Sequence, residues 1–230
     1  MAERFLADMS HQDVILRGPF SGMRYSWEQV FSAQLPKFLG TYEMEMFPFL
    51  EKLFAQDFDT VIDVGAAEGY YAVGFALRFP TAKVIAFEAI EKGQRLVNNL
   101  AASNDVQDRV TVKGLCQPED LQGAIDGKTL VMMDAEGAED FLLDPAAVPA
   151  LSAATMLFES HDALVPGVGK RVCSRFSDTH TISEAPSRPR TEADFPPILG
   201  WRKPFLRYYL SGWLVDRQNP TVWYLLEPKA

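Results

Sequence analysis

The sequence predicts an α/β fold on a mostly parallel sheet, and three observations carry that prediction. Short β-branched and apolar runs alternate with helix-patterned stretches through the middle of the chain. The runs are apolar almost throughout, as strands covered on both faces are, rather than alternating apolar and polar. Glycines and acidic residues collect at the carboxyl ends of those runs, where open parallel sheets bind their ligands.

Taken in order, residues 26–40 and 41–56 have apolar side chains at helical spacing, with Thr41 an expected N-cap and Glu43 and Glu45 in the first turn. TVIDV (60–64) begins the alternation, followed by the helix EGYYAVGFALRF, which Pro80 stops. KVIAFEA (83–89), RVTVKGL (109–115), TLVMMDA (129–135) and ATMLFES (154–160) read as the next four strands, with the helix IEKGQRLVNNLAAS between the first two of these. Right-handed crossovers then place the strands side by side. Beyond strand five the pattern breaks into a Pro-rich, weakly periodic stretch. The end, YYLSGWLVDRQNPTVWYLLEP, reads as two strands around the turn RQNP. The expected organisation is one domain: an N-terminal helical cap (1–57), a cofactor-binding core (58–160), a substrate-side insertion after strand five (161–206) and a C-terminal antiparallel hairpin (207–230).

Composition excludes several classes. With 230 residues, 47% hydrophobic and 23% charged, the chain has the make-up of a globular domain, and no apolar run approaches membrane-spanning length. A formal net charge of −9 argues against nucleic acid as the main partner. Cys116 and Cys173 form neither a disulfide framework nor a metal-ligand spacing, and the first ten residues lack a secretory signature, so a cytoplasmic setting is the expectation. Charge is unevenly spread: residues 170–207 hold eight basic and four acidic side chains, net +4. A solvated loop is the plain reading of that segment, and a site for an anionic substrate is the sharper one.

The stretch TVIDVGAAEGYYAVG (60–74) is a strand, a tight turn and a helix opening. A dinucleotide loop spaced G-x-G-x-x-G would need glycine at 67 and 70, where Ala67 and Tyr70 stand, and no G-x-x-x-x-G-K-[ST] loop is present. Glu68 in the turn would oppose a pyrophosphate. What remains, Gly65-Ala66-Ala67-Glu68-Gly69 behind Asp63, resembles the glycine loop of class I S-adenosylmethionine-dependent methyltransferases. Glu88 at the end of strand two suits a ribose diol. DAEGAE (134–139) and ESH (159–161) resemble the D-x-E-G-x-E and E-x-H motifs of the FkbM-like branch of those enzymes.

That resemblance covers about residues 41–162 and implies a Rossmann-like, seven-stranded sheet and S-adenosylmethionine as cofactor. It implies that Asp63, Gly65, Ala67, Glu68 and Gly69 line the methionine moiety, with Glu88 and Ala89 at the ribose. Leu115 and Cys116 would border the adenine, Asp134 would sit near the sulfonium, and Tyr42 and Glu43 would fold over the same cleft. Ala67 is expected to be a small perturbation, fitting wherever φ is negative. Methyl transfer to a hydroxyl needs in-line positioning and a base. His161 is the candidate base, with Asp134 or Glu159 to orient it. The same Asp134, Glu159 and His161 are a candidate ligand set for Mg²⁺ or Mn²⁺. Glu136 and Glu139 also read as first-turn helix carboxylates. The expected activity is O-methylation of a small-molecule hydroxyl, on a sugar or secondary metabolite, by a protein for which a homodimer is compatible. A nicotinamide-dependent oxidoreductase and a non-catalytic S-adenosylmethionine-binding module are the alternatives.

Overall fold

The computed structural model describes residues 13–30, 34–194 and 221–229. Its centre is a seven-stranded sheet: β1 (Thr60–Val64), β2 (Lys83–Phe87), β3 (Val110–Lys113), β4 (Thr129–Met133), β5 (Thr155–Ser160), β6 (His180–Pro186) and β7 (Val222–Pro228). They lie in the order β3-β2-β1-β4-β5-β7-β6. The five strands from β3 to β5 are parallel, while β7 runs antiparallel to both β5 and β6. The order reverses between β1 and β4, so the crevice beyond their carboxyl ends is the topological switch point.

β1, β4 and β5 are buried along their whole length, which is why their sequences show no alternation. Successive residues nonetheless face two different cores. Val61, Leu130, Met132, Leu157 and Trp223 pack with the N-terminal segment and α3 (Tyr70–Arg78). Ile62, Val131, Met133, Phe158 and Leu226 pack on the other face, against Leu121 of α5 (Pro118–Ala124), Leu142 of α6 (Glu139–Leu142) and Val172 of α7 (Val168–Phe176). α4 (Glu91–Ser103) crosses over between β2 and β3, burying Leu96, Val97 and Leu100.

The N-terminal segment contributes α1 (Gln34–Leu39) and α2 (Phe47–Phe54), joined by a 3₁₀ turn at Met44–Met46. Phe20 fits edge-on against Tyr70, Tyr71 and Phe75, so an aromatic layer fastens this segment to α3. Thr41 is not the expected N-cap. Its hydroxyl turns back to the Pro36 carbonyl, and α2 begins later, with Pro48 in its first turn.

The segment 161–206, expected as an insertion, supplies α7 and the sixth strand. β6 escapes the pattern because it is an edge strand with a partly exposed, half-polar sequence, HTISEAP. The expected antiparallel end of the sheet is present, with β7 paired to both β5 and β6. Tyr208 to Val215, read as the hairpin's first arm, lie outside the described residues, as do Trp201, Phe205 and Trp213.

Candidate functional site

At the switch point β1 and β4 nearly touch. The Asp134 amide donates to the Val64 carbonyl at 2.9 Å, and a β-carbon at Gly65, where φ is +88°, would lie 1.9 Å from the Asp134 carbonyl oxygen. Only glycine fits there. The loop then turns through Ala67 and ends at Gly69, which opens α3. Ala67 departs from expectation: its φ is +48°, in the left-handed region where a β-carbon is strained. The small perturbation foreseen at that position rested on a negative φ, and it is in fact a strained alanine.

Glu88 braces the loop from β2. One of its carboxylate oxygens accepts from the Ala67 amide at 2.7 Å and the other from the Ile90 amide at 2.8 Å. Asp63 is buried beneath, 1% exposed, with Oδ2 lacking any protein hydrogen-bond partner. Burial first, then the charge of Asp134 and more weakly that of Glu88, push its pKa up to about 8. A backbone hydrogen bond from Ala72 and the charge of Lys37 pull the other way.

The centre of the site is His161, just past β5. Its Nδ1 is 2.9 Å from Oε1 of Glu139, a fully buried carboxylate that also accepts the Ala135 amide at 3.0 Å. Its Nε2 faces three further carboxylates: Asp134 at 3.4 Å, Glu136 at 3.6 Å and Glu159 at 3.8 Å. Burial works against the imidazolium. The Glu139 hydrogen bond and the charges of Asp134, Glu139 and Glu136 outweigh it, so the pKa sits above the ordinary histidine value. Glu43 reaches the same place from the N-terminal segment. It is 1% exposed, has a φ of +48° and accepts a hydrogen bond from the Tyr71 hydroxyl.

Ligand atoms of Asp134, Glu136 and His161 all lie within 4.8 Å of one another, and so do those of Glu43, Asp134 and Glu159. The expected trio of Asp134, Glu159 and His161 is thus spread over two overlapping groups that share Asp134. The carboxylate bonded to Nδ1 of His161 is neither Asp134 nor Glu159, which face Nε2, but Glu139. Sequence reasoning passed over Glu139 because a carboxylate in a helix's first turn already has an explanation. Its signal was the last glutamate of DAEGAE.

Other expected residues lie apart. Glu68 turns away from the cleft, accepting from the Tyr25 hydroxyl at 2.6 Å and from Lys37 Nζ at 2.5 Å, both within the protein interior. Glu68 also lines a cavity of about 700 Å³ between residues 24–28 and α4, whose lining does not include His161. Tyr42 packs its ring against Tyr70 and over Lys37. Cys116 is buried against the second core, and burial with the charge of Asp120 pushes its thiol up to about 12. Ala89 and Leu115 are exposed at the rim. Trp27 stacks on Phe38 and lines the cavity beside residues 24–28.

Among the described residues of the basic segment, four arginines are ion-paired within the chain. Arg171 and Arg175 pair with Asp140, Arg188 with Asp194, and Arg190 with Glu45. Arg202, Lys203 and Arg207 lie outside the described residues.

No protein-family model and no curated protein matches the chain. Solved structures do. A precorrin-6y C5,15-methyltransferase from Geobacter metallireducens superposes with a TM-score of 0.51 at 13% identity, over 77% of this chain and 84% of that one. An O-methyltransferase from Bacillus cereus in complex with S-adenosylhomocysteine gives 0.50 at 14%, over 77% and 78%. A putative rRNA-methylase from Clostridium thermocellum gives 0.54 at 12%, over 78% and 93%. The chain has the methyltransferase fold. In that fold the glycine loop, Glu88 and the His161 cluster all stand at the carboxyl edge of the sheet.

Proposed function

We propose that the chain is an S-adenosylmethionine-dependent methyltransferase of the FkbM-like branch, acting on a hydroxyl of a small molecule such as a sugar or secondary metabolite. One observation carries this reading. A histidine, fixed through Nδ1 by a buried carboxylate, presents Nε2 to the cleft beside a glycine loop that admits close backbone approach.

The residues fit the cofactor's charges. Asp63 Oδ2 is a buried carboxyl oxygen with no protein hydrogen-bond partner, and the cofactor's ammonium would both pair with it and draw its raised pKa back down. Glu88 keeps a lone pair on each oxygen for the ribose diol. A cleft that gathers Glu43, Glu88, Asp134 and Glu159 favours a cation and disfavours the pyrophosphate of a nicotinamide dinucleotide, which counts against the oxidoreductase alternative. Bound, S-adenosylmethionine supplies an electrophilic methyl group on sulfur. His161 Nε2 would take the proton of the acceptor hydroxyl as that oxygen gains the methyl group, with the sulfur–methyl bond broken and the neutral thioether S-adenosylhomocysteine left behind. Glu139 holds the ring's tautomer and stabilises the resulting imidazolium.

The test pairs binding with turnover. Isothermal titration with S-adenosylhomocysteine should show saturable binding that Glu88→Ala weakens at least tenfold. His161→Ala should leave binding within about threefold and abolish methyl transfer to a panel of sugar and polyketide alcohols. Transfer by the wild type should rise with pH through a midpoint above the ordinary 6.5 of histidine, and Glu139→Gln should lower that midpoint. No binding of S-adenosylhomocysteine overturns the reading. Binding without any turnover in either protein favours the non-catalytic module.

A divalent ion is a second reading, supported by the convergence of Asp134, Glu136 and His161 within 4.8 Å. There it would acidify the acceptor hydroxyl in place of a histidine base. Chelation that stops turnover, with recovery on adding Mg²⁺ or Mn²⁺, supports this version.

A further inference from the structure

Residues 40–43 lead into the 3₁₀ turn Met44–Met46 and carry Glu43 over the cleft, where the Tyr71 hydroxyl donates to its carboxylate. Glu43 has a left-handed backbone, and its carboxylate lies with those of Asp134 and Glu159 in a group whose ligand atoms are all within 4.8 Å. Strain and like-charge repulsion both push it away. A second segment, residues 187–194 after β6, opposes them. Arg190 reaches across from it to grip the loop on both sides of Glu43. Its Nε donates to the Thr41 carbonyl at 3.2 Å, and its NH1 is 2.7 Å from Oε2 of Glu45 in an ion pair whose side chains are 4% and 3% exposed. The segment itself is locked. Asp194 takes both guanidinium nitrogens of Arg188, at 2.7 and 2.8 Å, as well as the Thr191 amide, and its carbonyl accepts from Arg17 at 2.6 Å.

We propose that Arg190 is a positioning residue, clamping the loop so that Glu43 faces the positive pole of the bound cofactor and sets the preference for a cationic over a neutral centre at the sulfur position. The second half of this proposal rests on the methyltransferase reading, and the first half does not. A buried bidentate clamp of this kind suits arginine in particular, since its planar guanidinium serves a carbonyl and a carboxylate at once. A lysine could serve either one with a shorter reach.

Two measurements separate the halves. Hydrogen exchange on the ligand-free protein follows the amides of Gly40, Thr41 and Met46, which are bonded to Lys37, Pro36 and Glu43 carbonyls. In Arg190→Met these should exchange at least tenfold faster while β1 and β4 amides are unchanged, and Arg190→Lys should restore part of the protection. Equal exchange in the wild type and Arg190→Met overturns the clamp. The second measurement compares affinities for S-adenosylhomocysteine, with its neutral sulfur, and sinefungin, which carries an ammonium at the methyl position. Arg190→Met and Glu43→Gln should each reduce the wild-type preference for sinefungin about tenfold. A ratio that stays constant while both affinities fall together means a merely structural role and overturns the second half. If the wild type binds neither compound, the cofactor reading falls, and the exchange result still decides the clamp.

Discussion

Two single residues report most directly on how this site was built. Ala67 holds a left-handed backbone in a loop whose neighbours at 65 and 69 are glycines with positive φ. Ala67→Gly removes a strain of roughly 1 kcal/mol, partly offset by the greater freedom of glycine in the unfolded chain. Thermal melts should therefore show the variant equal to or slightly more stable than the wild type, where Gly→Ala logic at ordinary positions predicts the reverse. Asp63 keeps its proton in the folded protein up to about pH 8, whereas in the unfolded chain it is lost near pH 4. Folding thus takes up a proton between those limits, and stability falls as pH rises through that window. Asp63→Asn should be more stabilising at pH 8 than at pH 5, as read by denaturant midpoints, because the neutral amide keeps the interior uncharged. Neither property is written in residue identity. TVIDVG announces a turn and an acidic residue, but the sign of φ at 67 and the missing hydrogen bond at Asp63 arise from how β4 and α3 close over them.

Among the elements, α1 is the one whose contribution is least evident from its length. Its Lys37 is buried, ion-paired to Glu68 of the glycine loop, with Tyr42 and Tyr70 rings at 4.7 and 5.0 Å from its nitrogen. An ammonium enclosed by rings and one carboxylate can be left out only at the cost of stranding the carboxylate. Lys37→Met should therefore destabilise the fold by about 3–5 kcal/mol, and adding Glu68→Gln should recover a good part of it, measured by chemical denaturation. The helix α4 and strands β1, β2, β4 and β5 are legible in the sequence because period and burial agree in each. α1 and β6 are harder. A six-residue helix interrupted by Pro36 gives little periodicity, and an edge strand needs only one apolar face, so HTISEAP reads as loop.

At the scale of the molecule, the polar residues at strand ends were legible in the sequence, and those brought in from distant segments were not. Glycine loop, Glu88, Asp134 and His161 sit at strand ends, whose positions follow from the alternation of strands and helices. Glu43 and Arg190 come from segments whose placement depends on packing between parts of the chain far apart in sequence, and a charge count over residues 170–207 does not show that Arg171 and Arg175 pair with Asp140 and Arg190 with Glu45. The strand order carries one more implication. β7 lies between β5 and β6, and β6 meets the sheet only through it. During synthesis, β6 therefore leaves the ribosome with no partner, and the β5 edge from Met156 to Ser160 stays bare until Val222–Pro228 arrives. An apolar parallel strand awaiting its neighbour is a template for pairing with other chains. The interval between making β5 and making β7 is thus when this protein is most exposed to aggregation, and the last strand closes that interval on both sides at once.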